Sequence, residues 1–426
     1  MKSVPKTWST VFLALLAFLF AACGGGGDGG GYFGGGGGSD APSEVVQPLA
    51  LPGPYAVACS NVSQDFTRVG FGEEVTDYWE GLPDGDRTRY VTDLLSDPAN
   101  TLIASVNAPA DASLFGSFAG QTRQFVVIVC YPTSADNPRP DYPLWSTDRS
   151  VPHMQTGTES PIFADASARY PVLLFSHGYM GSPISSDDYM LALTVCASYG
   201  YVVVAPFHGD LRFSNLKLDN LEISDILSAL NLNNFTAMQA LRPLSATAAL
   251  DLVLNHPQWQ DHVNADQIGG FGASMGGETM LLLANAGLTT SYLDIGQSWQ
   301  RVTLDPRIKA AAGYVPYFGH IVLPAFGHDH DGLAGIGLPY LGISGTADTT
   351  APITEVSRGM QRLAGPRILV ALSGVEHGFD DAAKNDVFTW TLTFLDAYVR
   401  GDAEAIDRLA VMGSVAGGVE DRLRLY

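Results

Sequence analysis

The chain has 426 residues, of which 46% are hydrophobic and 16% charged, a balance that supplies a globular interior and excludes intrinsic disorder. Its 23 Lys and Arg against 44 Asp and Glu give a net charge of -21, the wrong sign for a phosphate backbone, so nucleic acid is excluded as a main partner. Glycine is the anomaly, with 47 residues and much of the excess ahead of Ser39.

At the start, Lys2 and Lys6 precede an apolar run over 11–20 and then Ala21, Ala22 and Cys23. This charged, apolar, small-residue order is that of an export signal, expected over 1–22. The run is too short for a membrane helix, which takes about 20 residues. Leu19-Phe20-Ala21-Ala22-Cys23 resembles the lipobox of bacterial lipoproteins, with Phe20 where Leu is usual. The resemblance implies lipid on Cys23 and anchoring at the outer membrane or periplasmic face; ordinary cleavage and secretion is the alternative. Cleavage before Cys23 removes both lysines and leaves 21 minus 44, or -23. Residues 24–38 are nearly all glycine, so 23–54 is expected to be a flexible tether.

Of the remaining cysteines, Cys59 and Cys130 fall in strand-like stretches, whereas Cys196 lies in an expected helix and reads as apolar filler. Three cannot all pair internally, and Cys59 with Cys130 is the expected disulfide. None has metal-ligand spacing.

From 55 to 426 there is no second low-complexity linker and no repeat, so one domain is expected. Short β-branched runs alternate with amphipathic stretches, the pattern of an α/β fold with a mostly parallel sheet and helices on both faces. Strands are expected at 124–131, 172–176, 201–206, 268–272, 308–314, 338–344 and 367–372. Leu241, Leu244, Ala248 and Leu252 share one helical face, as do Val387, Trp390, Phe394, Leu395 and Tyr398. Ser186 followed by Asp187 and Asp188 starts another helix. The stretches 72–120, 211–235 and 319–337 break the alternation and read as insertions, where substrate contacts gather.

Gly272-Ala273-Ser274-Met275-Gly276 matches G-x-S-x-G between an expected strand and an expected helix. In a glycine-rich chain the string alone is weak, but strand, sharp turn and helix are the context it needs. A serine hydroxyl attacks only when a base takes its proton, and the base needs a carboxylate to fix its tautomer. Asp348 follows the strand at 338–344 and His377 follows the strand at 367–372, giving Ser, Asp, His on successive strand ends. Asp305 is the strongest rival acid, ahead of Glu376 and Asp380. Met275 N–H is the expected first donor to the oxyanion, and Tyr179 N–H, after Phe175-Ser176-His177-Gly178, the expected second. His177, placed before a helix, reads as structural rather than as the base.

These residues resemble the α/β-hydrolase fold, and more narrowly the bacterial esterases related to platelet-activating-factor acetylhydrolase and dienelactone hydrolase. The matching segments are Phe175-Ser176-His177-Gly178, Phe207-His208-Gly209-Asp210, the Ser274 turn and the loops of Asp348 and His377. A fainter likeness to cutinases and polyester hydrolases lies in Gly178-Tyr179, Ser274-Met275-Gly276-Gly277 and 347–352; in those enzymes an aromatic residue at the place of Tyr179 lines the acyl site. Ser274 departs from the cysteine of dienelactone hydrolase, and Ala273 from the histidine common in the acetylhydrolases. The resemblance implies a serine carboxylic-ester hydrolase without cofactor, acting on a small-molecule or polymeric ester, polyester or phospholipid-type substrates being the alternative. Two other classes stand beside it. Gly327-His328-Asp329-His330-Asp331-Gly332 concentrates metal-ligand types and would suit metal-assisted hydrolysis, though a solvated turn is the plainer reading. An anchored, non-catalytic binding module is the third.

Overall fold

The computed structural model describes residues 42–60, 62, 90–144, 149–156, 159–214, 216, 229–292, 296–320 and 323–426. The expected export signal, Cys23 and the glycine run lie outside the described residues, as do 72–89 and most of 215–228 in two expected insertions. Residues 41–426 form one compact unit.

The central sheet comprises β1 (Ala56–Cys59), β2 (Leu102–Asn107), β3 (Thr122–Thr133), β4 (Tyr170–Ser176), β5 (Val202–Pro206), β6 (Val263–Ala273), β7 (Ile308–Tyr314), β8 (Tyr340–Gly345), β9 (Arg367–Leu372) and β10 (Asp421–Leu425). Their spatial order is β10-β9-β8-β7-β6-β4-β5-β3-β1, with β2 also paired to β3. The six strands from β9 across to β5 are parallel, and the strands next to them on either side, β10 and β3, run antiparallel to them. The protein is therefore a mixed α/β structure with a largely parallel central sheet.

Both faces are covered. Val172 and Leu174 of β4 enter one core with α2 (Ala229–Asn255), α3 (Met275–Leu283) and α4 (Ile353–Met360). Leu173 and Phe175 enter the other, against α1 (Asp187–Ser198) and α5 (Lys384–Leu395). Every residue of β4 is buried, so the strand reads as a continuous apolar run rather than an alternation. Each such side chain stabilises the fold by about 1.5–3 kcal/mol relative to exposure. Ser186 caps α1 by accepting the Tyr189 N–H at 3.3 Å.

Chain order reverses between β4 and β6: the chain passes from β4 to β5 on one side, then returns to build β6 to β9 on the other. Parallel strands diverge there and leave a crevice at their C-terminal ends, the standard location for a ligand. β4 ends at Ser176 and β6 at Ala273, in register with each other at Ser176 and Gly272.

Several expectations are corrected. The stretch 72–120 is not a plain insertion: Leu102–Asn107 is a strand of the sheet, with alternate residues exposed along its second half. The tether does not extend to 54. Glu44–Val46 pairs in parallel with Met412–Val415, and the Leu49 and Gly53 amides bond Thr389 and Ser198. On α2 the fully buried positions include Met238, Leu241, Ala249, Leu250 and Val253, while Leu244, Ala248 and Leu252 are only part-buried. Tyr398 lies within the π turn Asp396–Arg400 and is exposed at the end of the stripe of Val387, Trp390 and Phe394, its ring packed against Phe394 at 4.8 Å.

Cys59 and Cys130 are directly opposite on β1 and β3 and form a disulfide, whereas Cys196 is free and buried in α1. The bond spans 71 residues, for which loop-closure entropy gives about 4 kcal/mol. Chemical denaturation of oxidised and reduced protein, or of Cys59→Ser with Cys130→Ser, is expected to differ by about 2–5 kcal/mol.

Candidate active site

The turn after β6 holds Ser274 at φ 51°, ψ -118°, a left-handed conformation a non-glycine residue adopts only under constraint. Three backbone bonds supply it: Ser274 N–H donates to the Tyr314 carbonyl, and the Ser274 carbonyl accepts from Gly277 and Tyr317, each at 2.9 Å. The flanking glycines are required by space. A Cβ on Gly272 would lie 2.1 Å from the Gly276 carbonyl carbon, and one on Gly276 would lie 1.9 Å from the Ser176 oxygen. Strand, turn and helix thus cross closely enough to present Ser274 at the switch point.

His377 Nε2 lies 3.0 Å from Ser274 Oγ, and His377 Nδ1 lies 2.8 Å from Asp348 Oδ2. The other carboxylate oxygen of Asp348 accepts the Thr350 and Ala351 amides at 2.9 and 2.8 Å. The Asp348 side chain is fully buried and that of His377 part-exposed. A buried carboxylate held by two amides fixes the ring with Nδ1–H toward the acid, so Nε2 is left to accept the serine proton. The three residues expected from sequence are thus brought to hydrogen-bonding reach.

The rival acids are engaged elsewhere. Asp305 is bound by Arg307 at 2.6 Å and Thr247 at 3.2 Å, Asp380 caps a short helical turn, and Glu376 is exposed. His177 is fully buried with both ring nitrogens used: Nε2 accepts the His208 N–H at 3.1 Å, which leaves Nδ1–H for the Gly178 carbonyl at 2.7 Å. Burial, then the Arg242 charge, pushes its ring well below the usual imidazole range. His177 stays neutral and structural.

Met275 opens α3, so its N–H is among the donors a helix leaves unpaired, directly after Ser274. The loop bearing Tyr179 is fixed on both sides. Gly178 N–H donates to Tyr189 Oη at 3.0 Å, and Met180, at φ 59°, donates to Asp210 Oδ2 at 2.9 Å. Sequence reasoning gave no role to what lies behind this loop. Asp210 pairs with Arg242 at 2.6 Å, both buried, and Arg242 also donates to the His177 carbonyl and to Thr279 Oγ1. His208 bridges Ser176 and Ser245, each at 2.8 Å. The available signal was Arg242 itself, a cation in the middle of an otherwise apolar helical stretch.

Two chambers meet at Ser274. One of about 410 Å³ is walled by Phe175, Tyr189, Phe271, Tyr314, Phe379 and Phe388; the other, of about 320 Å³, includes Met275, Tyr317 and Thr350. Tyr179, Ser274 and His377 line both. Phe207 and Phe318, near the ends of β5 and β7, are core residues and line neither chamber. The segment 327–332 is at neither chamber. Asp329 is held by Arg358 and Arg362, and His330 by Glu355 at 3.1 Å, so these side chains tie the loop to α4; no cluster able to hold a metal ion occurs among the described residues.

No protein-family model and no curated protein matches this chain.

Gly276→Ala is expected to cost ~3 kcal/mol or more, read by chemical denaturation, because the new methyl must displace backbone. Glu278, one turn past Ser274, is fully buried; it accepts from Gln239 at 2.7 Å, and its second carboxylate oxygen has no partner among the described residues. Burial pushes its carboxyl up to about 8. With the folded value raised, the stability it contributes is complete below its ordinary value of 4.5 and is lost as pH rises through about 8. Glu278→Gln should flatten the decline of Tm between those limits.

Proposed function

We propose that the protein is a serine carboxylic-ester hydrolase of the α/β-hydrolase fold. The observation that carries this reading is the unbroken path from Ser274 Oγ through His377 to Asp348, at 3.0 and 2.8 Å. In it Ser274 attacks the ester carbonyl while His377 takes the hydroxyl proton, and Asp348 stabilises the resulting imidazolium. The N–H groups of Met275 and Tyr179 receive the oxyanion, a contribution typically of ~3–4 kcal/mol per donor to the barrier. His377 returns the proton to the departing alcohol, and water then releases the acid by the same route.

The fold assignment is supported by the parallel strands flanked by antiparallel β3, and by the order of Ser274, Asp348 and His377 on the ends of β6, β8 and β9. Ester chemistry is supported by two chambers with largely apolar linings, one for each side of a scissile bond. We further read residues 1–22 and Cys23 as directing export and lipid anchoring.

Wild-type protein should react with a fluorophosphonate probe and hydrolyse aryl and alkyl esters; Ser274→Ala should lose both, and Asp348→Asn should retain the label site but lose roughly 10³–10⁴ in kcat. Absence of labelling and turnover in wild type would leave a binding module. Full activity of Ser274→Ala, lost on chelation, would favour metal-assisted hydrolysis.

A further inference from the structure

The larger chamber is unusual in its charge. Seven of its lining residues are aromatic: Phe175, Tyr179, Tyr189, Phe271, Tyr314, Phe379 and Phe388. The rings form two continuous walls, with Phe175 packed edge-on against Tyr189 and Phe271 at 5.9 and 5.8 Å, and Phe379 against Tyr314 and Phe388 at 5.6 and 6.0 Å. Among the described residues neither lysine nor arginine lines it. The one carboxylate among its described lining residues is Asp188, on the first turn of α1.

Two acids in the first turn of a helix have an ordinary explanation in the macrodipole, but that dipole is equivalent to only about half a positive charge. Asp187 and Asp188 together exceed it, and Asp381 adds a third negative charge within electrostatic reach. Arg149 is the cation whose field reaches Asp188, and no ion pair or hydrogen bond to the Asp188 side chain itself occurs among the described residues. Partial burial and its acidic neighbours Asp187 and Asp381 raise the Asp188 carboxyl against the opposing pull of Arg149. Aromatic faces and a carboxylate both attract cations, the more strongly in a partly desolvated pocket.

We propose that this chamber binds a positively charged, ammonium-type group, with Asp188 as its counter-ion, so that the preferred substrates are esters carrying a cation on the acyl or the alcohol side. The inference rests on the esterase reading. A quaternary ammonium fits on chemistry and size: it is compact, weakly hydrated and suited to contact with aromatic faces. Neutral esters of the same shape gain the apolar contacts but not the charge interaction. Asp188 is a specificity-determining residue here and takes no part in the proton path of Ser274 and His377.

The test compares charged and carbon-isosteric esters on wild type and Asp188→Asn. Choline butyrate is paired with 3,3-dimethylbutyl butyrate, and betaine ethyl ester with ethyl 3,3-dimethylbutanoate. In at least one pair the ratio of kcat/KM, cationic over neutral, should fall at least fivefold on substitution, while kcat/KM for the neutral member changes less than twofold. Choline should inhibit hydrolysis of the neutral ester by wild type at least fivefold more strongly than in Asp188→Asn. Equal ratios in both proteins for both pairs, or inhibition indifferent to the substitution, would overturn the proposal. Turnover of neutral esters that depends on Ser274 but ignores substrate charge removes only this inference; no turnover of any ester by folded wild type removes the esterase reading as well.

Discussion

The site depends on one steric constraint, the crossing of β6, the Ser274 turn and α3 at distances that admit no Cβ. Gly272 and Gly276 let the helix start almost in contact with the backbone of β4 at Ser176. The same approach sets Ser274 in its left-handed conformation and aligns the first amide of α3 beside its hydroxyl. The proposed nucleophile and oxyanion donor are therefore products of a single packing event, at the place where the sheet's connectivity reverses.

Behind that crossing the protein buries charge. The Asp210–Arg242 pair has almost no solvent exposure, and its desolvation cost is offset only because each partner also bonds backbone: Asp210 the Met180 amide, Arg242 the His177 carbonyl. Both contacts fall on the loop that carries Tyr179. The arrangement trades general stability for definition of one short segment, which is what a preorganised donor requires. The neutral rings of His177 and His208 complete the network, and their burial keeps them out of proton transfer.

Much of the architecture was legible because the parallel strands are long apolar runs with glycine-marked ends, and because Ser274, Asp348 and His377 sit just beyond such ends. What the residues did not disclose follows from physics that is not local. Leu102–Asn107 shows only a few inward positions, too few for its period to stand out, and it becomes a strand by pairing with β3. Tyr398 keeps the helical spacing and touches Phe394, but it lies beyond the end of α5 where the stripe leaves the core, and so is exposed. Residues 327–332 present a metal-like spacing, but Asp329 is paired with Arg358 and Arg362 and His330 with Glu355, all distant in sequence. The Asp210–Arg242 pair joins residues 32 apart, a contact no spacing rule anticipates.

The cysteines carry a consequence for maturation. Cys196 is enclosed within α1, and burial drives its thiol so far up that thiolate is essentially absent at neutral pH. Thiol–disulfide exchange requires a thiolate attacker, so once the body has folded Cys196 cannot displace either sulfur of Cys59–Cys130. Scrambling by Cys196 is confined to the period before helix α1 docks. Any later attack on that bond must originate outside the described residues.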